Sequence, residues 1–551
     1  MHDYVIVGAG SAGCVLANRL SEDPANKVLL IEAGGRDRHP NIKIPAAFAK
    51  QFRTKLDWDF NTEPEPHCAG RSLYMPRGKA LGGSSSMNAM LYVRGHPLDY
   101  EGWAAGGATG WGWDDIRPYF LRAEDNERGA SEYHGVVGPL RVEDERSPRP
   151  LTGRFLAACE EAGIPRIDDY NGPEQDGASL AQVTQRGGRR WSTADGYLRP
   201  ALKRKNLDVI TGAQVLGVEH EGKCAIGVRY RDRRGESVAY ADSEVILAAG
   251  ALASPHLLML SGIGPAEQLR EHGIEVAVDL PGVGENLQDH PSLACVWDAH
   301  GGGSLADAEK PKALLEFLLR RTGPLTSTIA EAFAFVRSKP GLAQPDIQFH
   351  FGPAYFVNHG FEEYDGGDAL TVGPVLVAPR SRGWLRLRSA DPTEQPRILT
   401  NSLAEPEDAA AMVAGVRLAR EIVSQEALAA VAGKELLPGA DADSDEDIEE
   451  DVRRRMELLY HPAGTCRMGV GEDAVVDPQL RVRGVEGLRV VDASIMPTIV
   501  SGNTNAPTIA IAEKGADVIL GKAPLGATGG ATTDPSAAAG ADSGPVADAT
   551  T

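Results

Sequence analysis

A short β-rich run, Tyr4–Val7, leads directly into Gly8-Ala-Gly10-Ser-Ala-Gly13, and no other feature of the sequence restricts its fold as strongly. Helix-forming residues follow through Leu16–Leu20, and Lys27–Glu32 (KVLLIE) reads as a second strand that ends in an acidic residue. Strand, glycine turn, helix and strand in this order predict a dinucleotide-binding unit. Its glycines allow a tight turn, close approach of the backbone to a pyrophosphate, and close helix–strand packing. The helix N-terminus presents free N–H groups and the positive end of its dipole to phosphate. Glu32 stands where an acidic residue can hold ribose hydroxyls. The motif alone leaves NAD and FAD both open.

The chain is long enough for more than one domain, with 551 residues. It carries 56 Lys+Arg against 77 Asp+Glu, a net charge of −21, whereas a nucleic-acid partner would require clustered basic residues. Six cysteines (Cys14, Cys68, Cys159, Cys224, Cys295 and Cys466) are scattered without CxxC pairs, so neither a metal site nor a disulfide framework is expected. No stretch approaches the ~18 consecutive apolar residues of a membrane span. The start MHDYVIVGAG lacks the basic n-region of a signal peptide. A cytoplasmic location is therefore expected. Contact with the inner face of a membrane would be peripheral, and no amphipathic basic helix stands out to make it.

A second glycine block, Pro76-Arg-Gly78-Lys-Ala-Leu-Gly82-Gly83-Ser-Ser-Ser-Met87-Asn88-Ala89-Met90, is too long for another phosphate turn. Paired glycines permit backbone approach to a flat ligand, and the Ser and Asn side chains that follow can hydrogen-bond to it. Further blocks begin at Gly250 (GALASPHLLMLSGIG), Gly284 (GENLQDH), His461 (HPAGT), Val491 (VDASIMP) and Gly502 (GNTNAPT).

With these blocks in this order, the sequence resembles the glucose–methanol–choline (GMC) oxidoreductases, FAD enzymes that oxidise alcohols. The resemblance runs from about Asp3 to Leu520 and is strongest toward the choline-dehydrogenase-like and aliphatic-alcohol branch. It implies an α/β chain (α+β overall), with a Rossmann-like FAD-binding domain and a discontinuous substrate-binding domain built on a β-sheet flanked by helices. The expected FAD-binding segments are 1–155, 200–295 and 455–522. The substrate segments are 156–199 and 296–454, and 523–551, rich in Ala, Gly, Ser and Thr, reads as a disordered tail. The run Met412–Ile422 has the spacing of a packing helix.

The resemblance assigns Gly8, Gly10, Ser11, Ala12, Gly13, Glu32, Ala33, Gly82, Gly83, Asn88, Ala89, Met90, Val215, Asp492, Ala493, Pro507 and Thr508 to FAD. It makes His461 the catalytic base and Asn505 its partner. Chemistry agrees with a histidine in that role, since an imidazole titrating near pH 6.5 suits proton transfer from a hydroxyl while the flavin accepts hydride. Asn505 also suits a helix cap ahead of Pro507. Met87 stands where some relatives carry a histidine bonded covalently to FAD, so non-covalent FAD is expected.

Glu331, His350 and Phe356 are the candidates for the substrate wall. A carboxylate among aromatic faces would suit choline, and an uncharged primary alcohol is the other candidate. Hydroxynitrile lyase and light-driven decarboxylase are non-oxidising alternatives within the family. Which carrier reoxidises the flavin (a quinone, another carrier or oxygen) and the oligomeric state are left open.

Overall fold

The structure is a computed structural model and describes residues 1–526. Its first sheet follows from strands that are apolar on both faces. β2 (Val28–Glu32) is buried at every position and β1 (His2–Val7) over its last three, as in parallel strands covered above and below. β1 lies between β2 and β7 (Gly235–Leu247), with Val5 opposite both Leu29 and Val245. β4 (Leu207–Thr211) continues the sheet beyond β2, and β15 (Leu488–Val490) pairs with β7 on the other side. The early part of β7 also forms an antiparallel meander with β6 (Cys224–Asp232) and β5 (Gln214–Glu221). α1 (Ser11–Leu20) packs on β1 and β2 and against α5 (Asn505–Ile519). Strands from three distant parts of the chain thus build one dinucleotide-binding sheet.

The second sheet is antiparallel along its main path. Its order is β13 (Ala432–Leu437), β9 (Cys295–Ala299), β12 (Ala369–Leu376), β11 (Ile347–Gly352), β10 (Ala332–Val336) and β3 (Gly177–Leu180). β8 (Pro291–Ser292) joins at the side and pairs with β14 (Glu457–Leu458), which sets Ser292 opposite Glu457.

Side-chain alternation gives this sheet two faces. Ile347, Phe349 and Phe351 of β11 turn toward α2 (Pro150–Glu161) and α4 (Pro406–Ser424), where Phe351 stacks on Phe155 at 4.5 Å. Gln348, His350 and Gly352 turn the other way. α4 contains the expected packing run, with Met412, Val416 and Ala419 buried. α2 crosses the expected boundary at 155 and packs on β3, β10 and β11 of the second sheet and on α4. Truncating Phe351 to alanine should cost about 3–5 kcal/mol. A lower urea midpoint for loss of holoenzyme fluorescence would register it.

From 527 onward the expected tail lies outside the described residues. Within its first residues, 523–526, which are described, the Leu525 amide donates to the Tyr119 hydroxyl at 3.2 Å. No helix among the described residues is long and apolar enough to cross a membrane.

Candidate active site

Where β1 ends, backbone packs on backbone. A Cβ at Gly13 would lie 1.8 Å from the Gly8 carbonyl oxygen, so α1 sits as close to the turn as a chain allows. The second glycine block docks on the first: a Cβ at Gly83 would lie 2.6 Å from the Gly10 Cα, and the Gly82 amide donates to the Ala9 carbonyl at 2.7 Å. No side chain caps the start of α1, so its first N–H groups remain free for a phosphate. Glu32 accepts from the Ala9 amide at 2.8 Å and from the Gly34 amide at 2.7 Å. Burial pushes its carboxyl up to about 7.

A cavity of about 370 Å³ runs from this turn to the face of the second sheet. Gly8, Gly10, Ser11, Ala12, Glu32, Ala33 and Val215 line it toward the turn. Gly83, Asn88, Ala89, Asp492, Ala493, Asn505 and Thr508 line it further on, and His350, Phe356 and His461 also face it. A glycine cradle that any Cβ would fill, an open helix N-terminus and an acceptor carboxylate fit the diphosphate and ribose of FAD. Asp492 holds the wall together: its carboxylate accepts from the Gly250 amide at 2.8 Å and the Ser254 hydroxyl at 2.6 Å.

His461 is aimed by its surroundings. Tyr460, just before it, adopts φ +67°, a left-handed conformation costly for a bulky residue, and Arg77 secures it by donating to the Tyr460 carbonyl. The His461 amide donates to Asp289 at 2.8 Å, and the same carboxylate oxygen accepts from the His290 amide at 2.8 Å. The two imidazoles meet Nδ1 to Nδ1 at 3.0 Å. Only one of those nitrogens can carry the proton. With it on His461, donated to His290, the His461 Nε2 is left as a free base.

Asn503 completes this arrangement. Its Nδ2 lies 3.3 Å from His461 Nε2, and its Oδ1 accepts from Gln348 Nε2 at 3.2 Å, which fixes which end of the amide faces the base. Burial lowers the His461 pKa well below its ordinary value, and His290, His350 and Arg77 nearby act in the same direction. Burial likewise pushes His350 down to about 3, and its Nε2 has no hydrogen-bond partner among the described residues. Asp289, also buried, is pushed up to about 7.

Asn505 opens α5 and lines the cavity; its Oδ1 accepts from the Ser11 hydroxyl at 2.7 Å, which ties α5 to the dinucleotide turn, and Asn503, which also lines the cavity, is the amide beside His461 Nε2. Other expected site residues lie off the cavity. Glu331 does not line the cavity. Its carboxylate is buried at the start of α2, where it accepts from the Arg149 amide at 2.7 Å, the Thr152 hydroxyl at 2.5 Å and the Ser327 hydroxyl at 2.7 Å. The carboxylate residue on the substrate side of the cavity is Glu457, which burial raises to about 7 and which lies 3.4 Å from His359. Gly13, Gly82, Met90 and Pro507 stand behind the lining; Met90 packs with Leu91, Val93 and Tyr170. Sequence reasoning also gave no role to His290, Gln348 or the aromatic wall of Phe48, Phe52 and Tyr460. GENLQDH contained the only hint, a histidine beside an aspartate.

Family-wide profiles described as GMC oxidoreductase match residues 2–292 and 379–512. An alcohol dehydrogenase [acceptor] of Pseudomonas putida is 46% identical over 531 residues, spanning 95% of this chain and 96% of its own. The mitochondrial choline dehydrogenase of Homo sapiens is 48% identical over 539 residues, 95% of this chain and 90% of its own. Among solved structures, pyridoxine 4-oxidase from Mesorbium loti superposes with a TM-score of 0.86 at 35% identity, covering 94% of this chain and 98% of that one. A formate oxidase gives 0.89 at 31% identity, with the same two coverages. Shared over nearly its whole length and built around the same kind of dinucleotide cradle, the chain belongs to the GMC oxidoreductases, FAD-dependent enzymes that oxidise the CH–OH group of alcohols.

Proposed function

We propose that the enzyme oxidises an uncharged primary alcohol, with His461 Nε2 taking the hydroxyl proton and Asn503 Nδ2 donating to the same oxygen. Bound FAD supplies the acceptor for the carbon-bound hydride. The observation that carries this reading is the convergence of Nε2 and Nδ2 on one point of the cavity wall, each held in orientation by a second side chain, His290 and Gln348. His350, with its unpartnered Nε2, supplies a further polar contact for substrate on the same wall.

The apolar lining supports an uncharged substrate. Phe48, Phe52, Met87, Ile329 and Phe356 face the cavity and offer a hydrocarbon chain an apolar wall. Choline is the competing substrate, since Glu457 among these aromatic faces is what a quaternary ammonium would need. The relatives named above are dehydrogenases and oxidases, and no feature of the site favours the lyase or decarboxylase reading. The test is anaerobic bleaching of the flavin band by choline and by a series of aliphatic, aromatic and sugar alcohols. Bleaching by aliphatic alcohols at lower concentration than choline supports the proposal; bleaching by choline alone overturns it.

Two further outcomes follow from the site. Met87 is buried in the wall with Phe48, Phe52 and Tyr74, and a thioether forms no histidyl-type flavin bond. FAD should therefore stay in the supernatant when the protein is precipitated with acid, and a yellow pellet would count against non-covalent binding. The second concerns pH. A base whose pKa is held below its ordinary value stays unprotonated as pH falls through 6.5, so the loss of kcat/KM that belongs to His461 should come only below 6.5, and a limb near 7 would belong to Glu457 or Asp289. Stopped-flow flavin reduction across pH 4–8 would give the profile, and an acid limb centred above 6.5 that vanishes in His461→Ala contradicts this account.

A further inference from the structure

α3 (Pro311–Arg320, PKALLEFLLR) shows solvent a face that a globular enzyme ordinarily hides. Ala313 and Phe317 are buried against the protein, while Leu314, Leu315, Leu318 and Leu319 point away from it at 45%, 57%, 56% and 74% exposure. Four adjacent exposed leucines on one short helix form a contiguous apolar patch, which marks a contact surface.

The charge around the patch selects among possible occupants. Lys310, Lys312, Arg320 and Arg321 flank the leucines, in a chain with a net charge of −21. Lys310, Lys312 and Arg320 have no acidic partner among the described residues, and Arg321 lies over the Phe317 ring at 4.8 Å. Of the neighbouring acids, Glu309 pairs with Lys50 at 2.7 Å and Asp307 with Arg149 at 3.2 Å; half-buried Glu316 accepts from the Thr322 hydroxyl at 3.0 Å and is left as one negative group against the four basic ones.

A second copy seated face to face would set one basic rim against the other. The chain beyond 526 has Val546 as its one apolar residue larger than alanine or proline, too little to cover four leucines. An apolar helix face with a basic rim matches the acyl and headgroup layers of an anionic bilayer.

No amphipathic basic helix is expected from the sequence, but α3 has that character, and we propose that it is an interfacial helix that docks the enzyme on an anionic membrane surface. Its position connects it to the site. The chain leaves α3 through the 3₁₀ turn Pro324–Thr326 and runs into Thr328–Ala330, which line the cavity. That turn packs on the 3₁₀ segment Pro45–Gln51, whose Phe48 also lines it. Docking through α3 would bring this wall of the cavity near the lipid, where apolar alcohols and lipid-soluble electron acceptors concentrate. The inference concerns binding and holds whichever alcohol is oxidised.

Flotation of the holoenzyme with vesicles tests it, comparing phosphatidylcholine alone with phosphatidylcholine containing one-third phosphatidylglycerol. The wild type should float with the anionic vesicles and be released by salt. Leu315→Ser/Leu319→Ser should lower partitioning about tenfold or more on either lipid. Lys310→Glu/Lys312→Glu should lower it about tenfold on the anionic vesicles and little on the neutral ones. FAD absorbance and melting temperature, unchanged in both variants, show that they are folded. Absence of wild-type flotation, or equal flotation of wild type and leucine variant, overturns the proposal. So does light scattering that shows a wild-type dimer made monomeric by the leucine substitutions, which would assign the face to a second copy.

Discussion

His461→Ala is expected to slow anaerobic flavin reduction by about 10²–10⁴-fold, the usual worth of a positioned general base, with FAD still bound. The main-chain part of the site should survive, because the His461 contact with Asp289 is made by its backbone amide. What disappears is the cavity-facing nitrogen, together with the partner of His290 Nδ1. His290 cannot substitute, since its contact to the cavity runs through the ring that was removed. Single-turnover reduction by stopped flow separates the chemical step from reoxidation, and the flavin-to-protein absorbance ratio reports occupancy. A variant that keeps its FAD and reduces it at the wild-type rate would remove His461 from the chemistry.

Why this histidine, among 13, could be picked out from the sequence while its partner could not is a matter of local geometry. The HPAGT block fixes one residue in a short motif. GNTN offers two asparagines two positions apart, one in an irregular loop and one opening the helix that follows, where no periodicity says which way a side chain points. Asn503 Nδ2 lies 3.3 Å from His461 Nε2 and Asn505 Oδ1 accepts from Ser11, while both residues line the cavity. Glu331 illustrates the same limit. Its aromatic neighbours suggested a substrate wall, but it precedes β10 on the side of α2 and is consumed by the N-terminus of that helix. Glu457, with no motif around it, reaches the cavity side because β14 pairs with β8, a contact between segments far apart in the chain.

The dinucleotide turn was legible because its chemistry is carried by backbone and by residues adjacent in sequence. The second sheet was legible only as a region, since its strand order depends on long-range pairing. The apolar run of α3 resembles that of a packing helix. Its exposure depends on the absence of a neighbour, which sequence does not record.

The two asparagines therefore provide the sharper test of the site. Asn503→Ala should lower the rate of flavin reduction by about 10²–10³-fold, the range seen when one donor to a developing oxyanion is lost. Its effect should fall on the rate more than on apparent substrate affinity, because the donor matters most as the alcohol oxygen gains charge. Asn505→Ala removes one hydrogen bond, to Ser11 at the start of α1. A bond of that kind is worth about 0.5–1.5 kcal/mol, so FAD should be held about two- to tenfold more weakly, and the chemistry of the FAD-saturated enzyme should change far less than in Asn503→Ala. Gln348→Ala adds an intermediate case. Without the Gln348 donor on Oδ1, the Asn503 amide is free to turn, and part of the Asn503→Ala loss should appear although the amide itself is present. If Asn505→Ala instead shows the hundredfold loss while Asn503→Ala reduces flavin normally, the partner of His461 is Asn505, and the alcohol oxygen binds nearer the dinucleotide turn than the 3.3 Å approach of Asn503 implies.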